Sequence, residues 1–370
     1  MYLGEGWPAM VPRFLLDLDW QDYAHCPRRE HPMNKIEHSE AETVTGRIVK
    51  VPESTRYLVF GLFGVQARKP EAAASYVAAL REQLVAGNAC LIERSHYVDQ
   101  DDFHTDVFMA YWLDVDSYRA WIESPRVAEW WADLPQDPAA ELGFWREVLM
   151  PDKDRFQFGG AGDRKAASAN FLELEPCNKF GYWGGYRDRL DASVHDDFAA
   201  AFDNLPAAKM RETKGCRLSV ITPDNLCFLR EGQGWEDCGT EERRIWNEKM
   251  EDVVTEWVGF LGNNPTDTGC MSIRDCLEQD VSSGAPVDRR SQFAFLLSLG
   301  HIEHAARTQP THLAVRNTFL EMFDAKAFEP QLHVWVEVFV IKAGELDNEY
   351  VNCHPGTGLL PYFELRDAAV

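Results

Sequence analysis

Long apolar runs of strand character, separated by stretches of helical spacing, restrict this chain's fold more than any other feature. Tyr57–Val65 reads YLVFGLFGV, rich in β-branched and aromatic residues, and predicts a buried strand. Lys69–Ala86 then places Ala73, Tyr76, Val77, Leu80 and Leu84 at helical spacing. Asp106–Leu113 (DVFMAYWL) predicts a second strand, and Asp116–Glu123 a helix that starts with an acidic residue at its positive end. Gly143–Leu149 is a further strand. This β–α–β–α order is that of half a ferredoxin-like unit.

The order recurs. Arg217–Thr222 and Asn225–Arg230 predict strands around a Pro-Asp turn. In Thr240–Leu261 a helix gathers Ile245, Met250, Val253, Val254, Trp257, Val258 and Leu261 on one face. Phe293–Leu299 is a strand, His301–Ala306 and Leu313–Phe323 are helical, and His333–Ile341 is a strand. AYWLDVDSYRAWIESPRV and FLLSLGHIEHAARTQPTH echo each other as strand, short loop, helix, then x-Pro. The reading is α+β, two tandem ferredoxin-like units. Each has an antiparallel sheet with helices on one face and the other face open to a ligand or partner. The expected divisions are an extended segment 1–54, broken by Pro8, Pro12, Pro27, Pro32 and Pro52; a first unit 55–160; a connection 161–213; a second unit 214–345; and a tail 346–370.

Composition narrows the function. A chain of 370 residues can bury a large core without staples. Its 60 acidic against 37 basic residues leave a net charge of −23. Phosphate backbones and anionic membrane surfaces both need clustered Lys and Arg, so nucleic acid and membrane are excluded as general partners. There is no stretch of about 18 apolar residues. Met1–Trp20 mixes Glu5, Arg13 and Asp17 with its apolar residues, unlike a signal peptide, so a cytoplasmic protein is expected. Nine cysteines without C-x-x-C fit reduced thiols and no zinc or iron–sulfur site.

Phosphate-loop, nucleophile-elbow and zincin motifs are absent. Gly181–Arg189 (GYWGGYRDR) reads as a pocket lining or as a turn with an exposed ion pair. His301, His304 and His312 cluster, with His333 and His354 beyond. A pair at i, i+3 can hold a metal, but no carboxylate is placed to complete the set. A single histidine at the edge of an apolar helix can be an axial haem ligand, and a merely hydrogen-bonded histidine is the ordinary alternative. Asn352-Cys353-His354-Pro355 alone is a turn.

Gln309-Pro310-Thr311-His312-Leu313, GYWGGYRDR and Tyr350–Pro361 (YVNCHPGTGLLP) together resemble the aldoxime dehydratase family, which includes phenylacetaldoxime dehydratases. Cys26-Pro27-Arg28, Phe60–Gln66 (FGLFGVQ) and Thr222–Arg230 (TPDNLCFLR) add shorter matches, in order along the chain. The resemblance implies a haem b lyase that converts R–CH=N–OH into R–C≡N, with haem between sheet and helices and oxime nitrogen bound directly to iron. It implies that His312 is the proximal iron ligand and Arg189 a pocket arginine. It leaves the oligomeric state open, a homodimer being one option.

Three positions depart from that pattern. Trp335-Val336-Glu337-Val338 puts Val336 at the haem-lining place of the family's distal histidine. Leu229-Arg230-Glu231-Gly232-Gln233-Gly234-Trp235 puts Glu231 where the family has a serine or threonine. Arg155-Phe156-Gln157-Phe158 puts Gln157 in place of a glutamate. Valine cannot move a proton, whereas a carboxyl whose pKa is raised by burial can. His333, three residues before Val336, belongs on the opposite strand face. Three readings follow: an aldoxime dehydratase with Glu231 as acid, a haem enzyme for another N–O or N–N substrate, or a non-catalytic haem sensor.

Overall fold

The computed structural model describes residues 46–177, 185–324 and 328–368. Cys26-Pro27-Arg28, most of the extended N-terminal segment and Gly181–Gly184 of the GYWGGYRDR string lie outside the described residues.

After β1 (Gly46–Lys50), the first unit runs β2 (Val59–Ala67), α1 (Pro70–Val85), β3 (Leu91–Val98), β4 (His104–Trp112), α2 (Val115–Ile122), α3 (Pro125–Ala132) and β5 (Leu142–Leu149). β6 (Phe156–Ala161), β7 (Glu173–Cys177), α4 (Gly185–Arg189) and β8 (Arg217–Ile221) follow. The second unit runs β9 (Leu226–Gly234), α5 (Thr240–Ile245), α6 (Glu251–Asn263), α7 (Pro265–Thr268), β10 (Cys270–Gln279), β11 (Pro286–Leu296), α8 (Leu299–Thr308), α9 (Pro310–Asp324) and β12 (His333–Ile341). β13 (Leu346–Val351) and β14 (Glu364–Asp367) close the described chain.

Among the described residues all strands join one 14-stranded sheet, in the order β14-β8-β13-β5-β2-β4-β3-β10-β11-β9-β12-β6-β1-β7. Within it, β5-β2-β4-β3 and β10-β11-β9-β12 are each the ferredoxin-like arrangement, joined through antiparallel pairing of β3 with β10. The fold is therefore α+β, as the alternation of runs predicts. The two strands around the Pro-Asp turn part company: β8 pairs with β13 and β14, and β9 with β11 and β12.

The alternating pattern predicts helix-free faces open to a ligand or partner; the structure instead packs these faces on each other. The Phe60 ring lies 5.7 Å from Phe228 and 5.4 Å from Phe339. Burying two apolar faces together releases more water than exposing either. β3 and β10 were not anticipated, because Glu93, Arg274 and Glu278 interrupt their apolar alternation. Those charges point into this same interior. Arg230 pairs with Glu93 at 2.6 Å and Glu278 at 3.0 Å, Tyr111 donates to Glu337 at 2.6 Å, and Arg274 pairs with Glu147 at 2.6 Å. Buried charges persist only when paired in this way.

Candidate active site

The helix pair α8–α9 is broken by sequence chemistry. A residue before proline is pushed out of the helical region, and Gln309 before Pro310 sits at φ −82°, ψ 126°. Pro310 also lacks the N–H that the Ala306 carbonyl would receive in a continuing helix. The His312 ring fills that vacancy, with Nδ1 2.6 Å from Ala306 O. A carbonyl only accepts, so Nδ1 carries the proton and Nε2 presents the lone pair. His312 is 1% exposed, its ring 4.7 Å from that of Trp257, and burial pushes its pKa down to about 4. The imidazole is thus neutral and pre-turned for a metal.

The other histidines are placed otherwise. His301 bonds Ser298, His304 is exposed, and His354 Nε2 lies 2.7 Å from Asp99. The His333 ring lies 4.9 Å from that of Trp335, tilted to it, on the strand face opposite Val336. No three His, Cys, Asp or Glu residues gather as a metal site among the described residues.

On the helix-bearing face of the second unit, strand pairing sets Gly159, Val336 and Glu231 side by side, with Gln157, Val338 and Leu229 in the next row. Val336 and Glu231 are only half-buried although they lie mid-sheet. Apolar Leu313, Val315 and Phe319 of α9 are half-buried as well. Glu231 has no hydrogen-bond partner among the described residues, and burial raises its pKa to about 7. Gln157 turns toward the sheet edge, its Oε1 accepting from Val49 N at 3.2 Å and Phe158 N at 2.9 Å.

Arg189 is 5% exposed and lies 4.1 Å over the Tyr186 ring. Arg187 points elsewhere and pairs with Glu303 of α8 at 2.9 Å. Tyr186 was not singled out from the sequence, yet its hydroxyl stands against Gly159, where a Cβ would lie 2.9 Å away. The glycine across from Val336 was the available signal.

The sequence model described as haem-containing dehydratase matches residues 61–359. The chain belongs to the haem-containing dehydratase family. It is 31% identical over 319 residues to a phenylacetaldoxime dehydratase of Bacillus sp. (strain OxB-1), covering 85% of this chain and 91% of that one. It is 28% identical to an aliphatic aldoxime dehydratase of Rhodococcus globerulus, over 87% and 90% of the two chains. A crystal structure of an aldoxime dehydratase in complex with butyraldoxime superposes with a TM-score of 0.77 at 27% identity, over 93% and 94%.

The residues of this haem-containing dehydratase fit the family's cofactor. His312 offers one oriented, neutral nitrogen, which suits a metal whose other ligands come with a porphyrin. The half-buried apolar side chains of α9 and of Val336 offer the flanks such a flat apolar ring needs. No helix among the described residues is long and apolar enough to cross a membrane.

Proposed function

We propose that this protein dehydrates an aldoxime to a nitrile, using haem b held through His312 Nε2. The haem would supply an iron that binds the oxime nitrogen and weakens the N–O bond. The observation that carries the reading is Glu231: a half-buried carboxyl with no hydrogen-bond partner among the described residues, held near pKa 7, in the row that faces the ligand helix. Such a group can be protonated and still give the proton up at neutral pH. Arg189 keeps its charge in a dry pocket and orients the oxime. Gln157, with its oxygen already engaged, shapes the pocket edge and moves no proton. The reaction class and the small-molecule partner are supported by the relatives named above. Eight described cysteines, all free, support a cytoplasmic setting.

A second reading keeps haem and His312 but changes the substrate to another N–O or N–N compound, such as a hydroxylamine or hydrazone. Val336 favours it, since the distal proton-transfer group implied by the motif is gone. One experiment separates the two. The purified ferrous protein is offered aryl- and alkylaldoximes without oxygen, and nitrile is measured. Nitrile from at least one class, lost in Glu231→Gln with the haem spectrum intact, is expected. Failure on every oxime, with turnover of a hydrazone or hydroxylamine, would establish the second reading. His312→Ala should lose the Soret band while His301→Ala and His304→Ala keep it.

A further inference from the structure

We infer that the Tyr186 hydroxyl is a further catalytic group of this site, touching the oxime hydroxyl and delivering its proton in concert with Glu231. The inference rests on the aldoxime reading above. Its basis is placement. Gly159 lies directly across from Val336, and Val336 directly across from Glu231. A Cβ at Gly159 would meet Tyr186 Oη at 2.9 Å, so the hydroxyl stands over this row of the sheet. Val336 itself offers nothing polar. A phenol reaching across from α4 supplies a hydroxyl at the place the strand leaves bare.

The hydrogen-bond logic points the same way. The Arg189 guanidinium is bonded to the Tyr186 hydroxyl. Guanidinium can only donate, so it takes a lone pair of the phenol oxygen and leaves the phenol's own proton to be given elsewhere. Glu231 lies close enough to act on that hydroxyl through space, and burial keeps the phenol protonated by raising its pKa. Tyr186 is 5% exposed, so its hydroxyl competes little with bulk water.

The step balances. The Tyr186 proton passes to the oxime oxygen as the N–O bond breaks, and the bonding pair leaves with that oxygen as water. Protonated Glu231 restores the phenol. The resulting carboxylate takes the C–H proton of the substrate, and the C–H pair becomes the third bond of the nitrile. One proton is given, one is taken back, and no oxidant or reductant is consumed.

Tyr186→Phe keeps the ring beneath Arg189 and removes only the hydroxyl, while Gly159→Ala keeps the phenol and pushes it off the row. Three readouts are taken on the haem-loaded protein: kcat, KM and the C–O stretch of the ferrous CO complex, which reports hydrogen-bond donors on the distal side. Tyr186→Phe should lower kcat about 100-fold with KM within about threefold. It should leave haem content unchanged and shift the C–O band. Gly159→Ala should shift the band in the same direction and lower kcat about tenfold. If Tyr186→Phe keeps kcat within about twofold while Glu231→Gln loses it, Tyr186 is outside the proton path and the aldoxime reading stands. If wild type forms no nitrile at all, that reading falls, and with it the catalytic role; an unmoved C–O band in both variants would also remove Tyr186 from the pocket.

Discussion

Glu231 shows how one residue changes a site's chemistry. Burial holds its pKa at about 7, against ~4.3 in an unfolded chain, so the native state binds its proton more tightly. The stabilisation from that proton is complete below pH ~4.3 and is lost as pH rises through 7. Melting of wild type and Glu231→Gln should therefore diverge between pH ~4.3 and ~7, the variant gaining relative stability as pH rises, and run parallel above. Turnover that needs protonated Glu231 should fall about tenfold per unit above pH ~7. A pH-independent difference in melting would show that the carboxyl is solvated in the native protein. Returning the motif's histidine with Val336→His should restore part of the nitrile formation lost in a Glu231→Ser background, measured by product analysis.

Elements decide where the iron ligand can stand. α9 exists as a separate helix because Pro310 denies α8 its next N–H, and His312 uses the carbonyl so left over. Pro310→Ala restores that N–H. It should let α8 run on, compete with His312 for Ala306 O and loosen the imidazole. Outer-shell losses of this kind cost roughly 10- to 100-fold in metal affinity. Haem transfer to an apoglobin acceptor should be faster by that order, with the far-ultraviolet dichroism nearly unchanged. A transfer rate equal to wild type would mean that packing against Trp257 alone orients the ring.

At the scale of the molecule, two units of one design have diverged. After each unit the chain crosses: β6 extends the sheet beside β12, and β13 extends it beside β5. Trp145-Arg146-Glu147-Val148 and Trp335-Val336-Glu337-Val338 occupy matching strands, and each tryptophan sits over a glycine of its neighbour, Gly64 or Gly232, where a Cβ would overlap the indole. Matched this way, Arg146 stands for Val336, Phe63 for Glu231 and Glu349 for Gly159. Pro125-Arg126-Val127 matches Pro310-Thr311-His312, so Val127 takes the ligand's place. Arg146 pairs with Glu349 at 2.8 Å, and Phe63 packs edge-on against Trp121 at 5.3 Å. The first unit thus sets an ion pair and packed aromatic rings, beside a cavity of about 440 Å³ lined by Tyr118, Trp131, Arg146 and Glu349, where the second has half-buried Val336 and Glu231. Haem should bind at one per chain, and Val127→His should not add a second, as read by pyridine haemochrome titration. Two haems in that variant would show that the first unit retains a slot.

Local rules account for what could be read without coordinates. Periodicity located most of the helices and the apolar strands, an x-Pro step followed the first of the two helices, and the resemblance to the aldoxime dehydratase motifs singled out His312, Arg189, Glu231 and Val336. These signals survive in one dimension because they concern residues within a few positions of one another. β3 and β10 were hidden because their charges are paid back by partners far along the chain, as Arg230 is by Glu93 and Glu278. Tyr186 was hidden for the same reason: nothing near position 186 says that its hydroxyl will meet Gly159. The closing of both sheet faces on each other, and the row that brings Gly159, Val336 and Glu231 together, are long-range pairings. Side-chain character determined which strands and helices could form; only the tertiary register decided which of their residues share a face, because a slip of one residue turns every side chain to the other side.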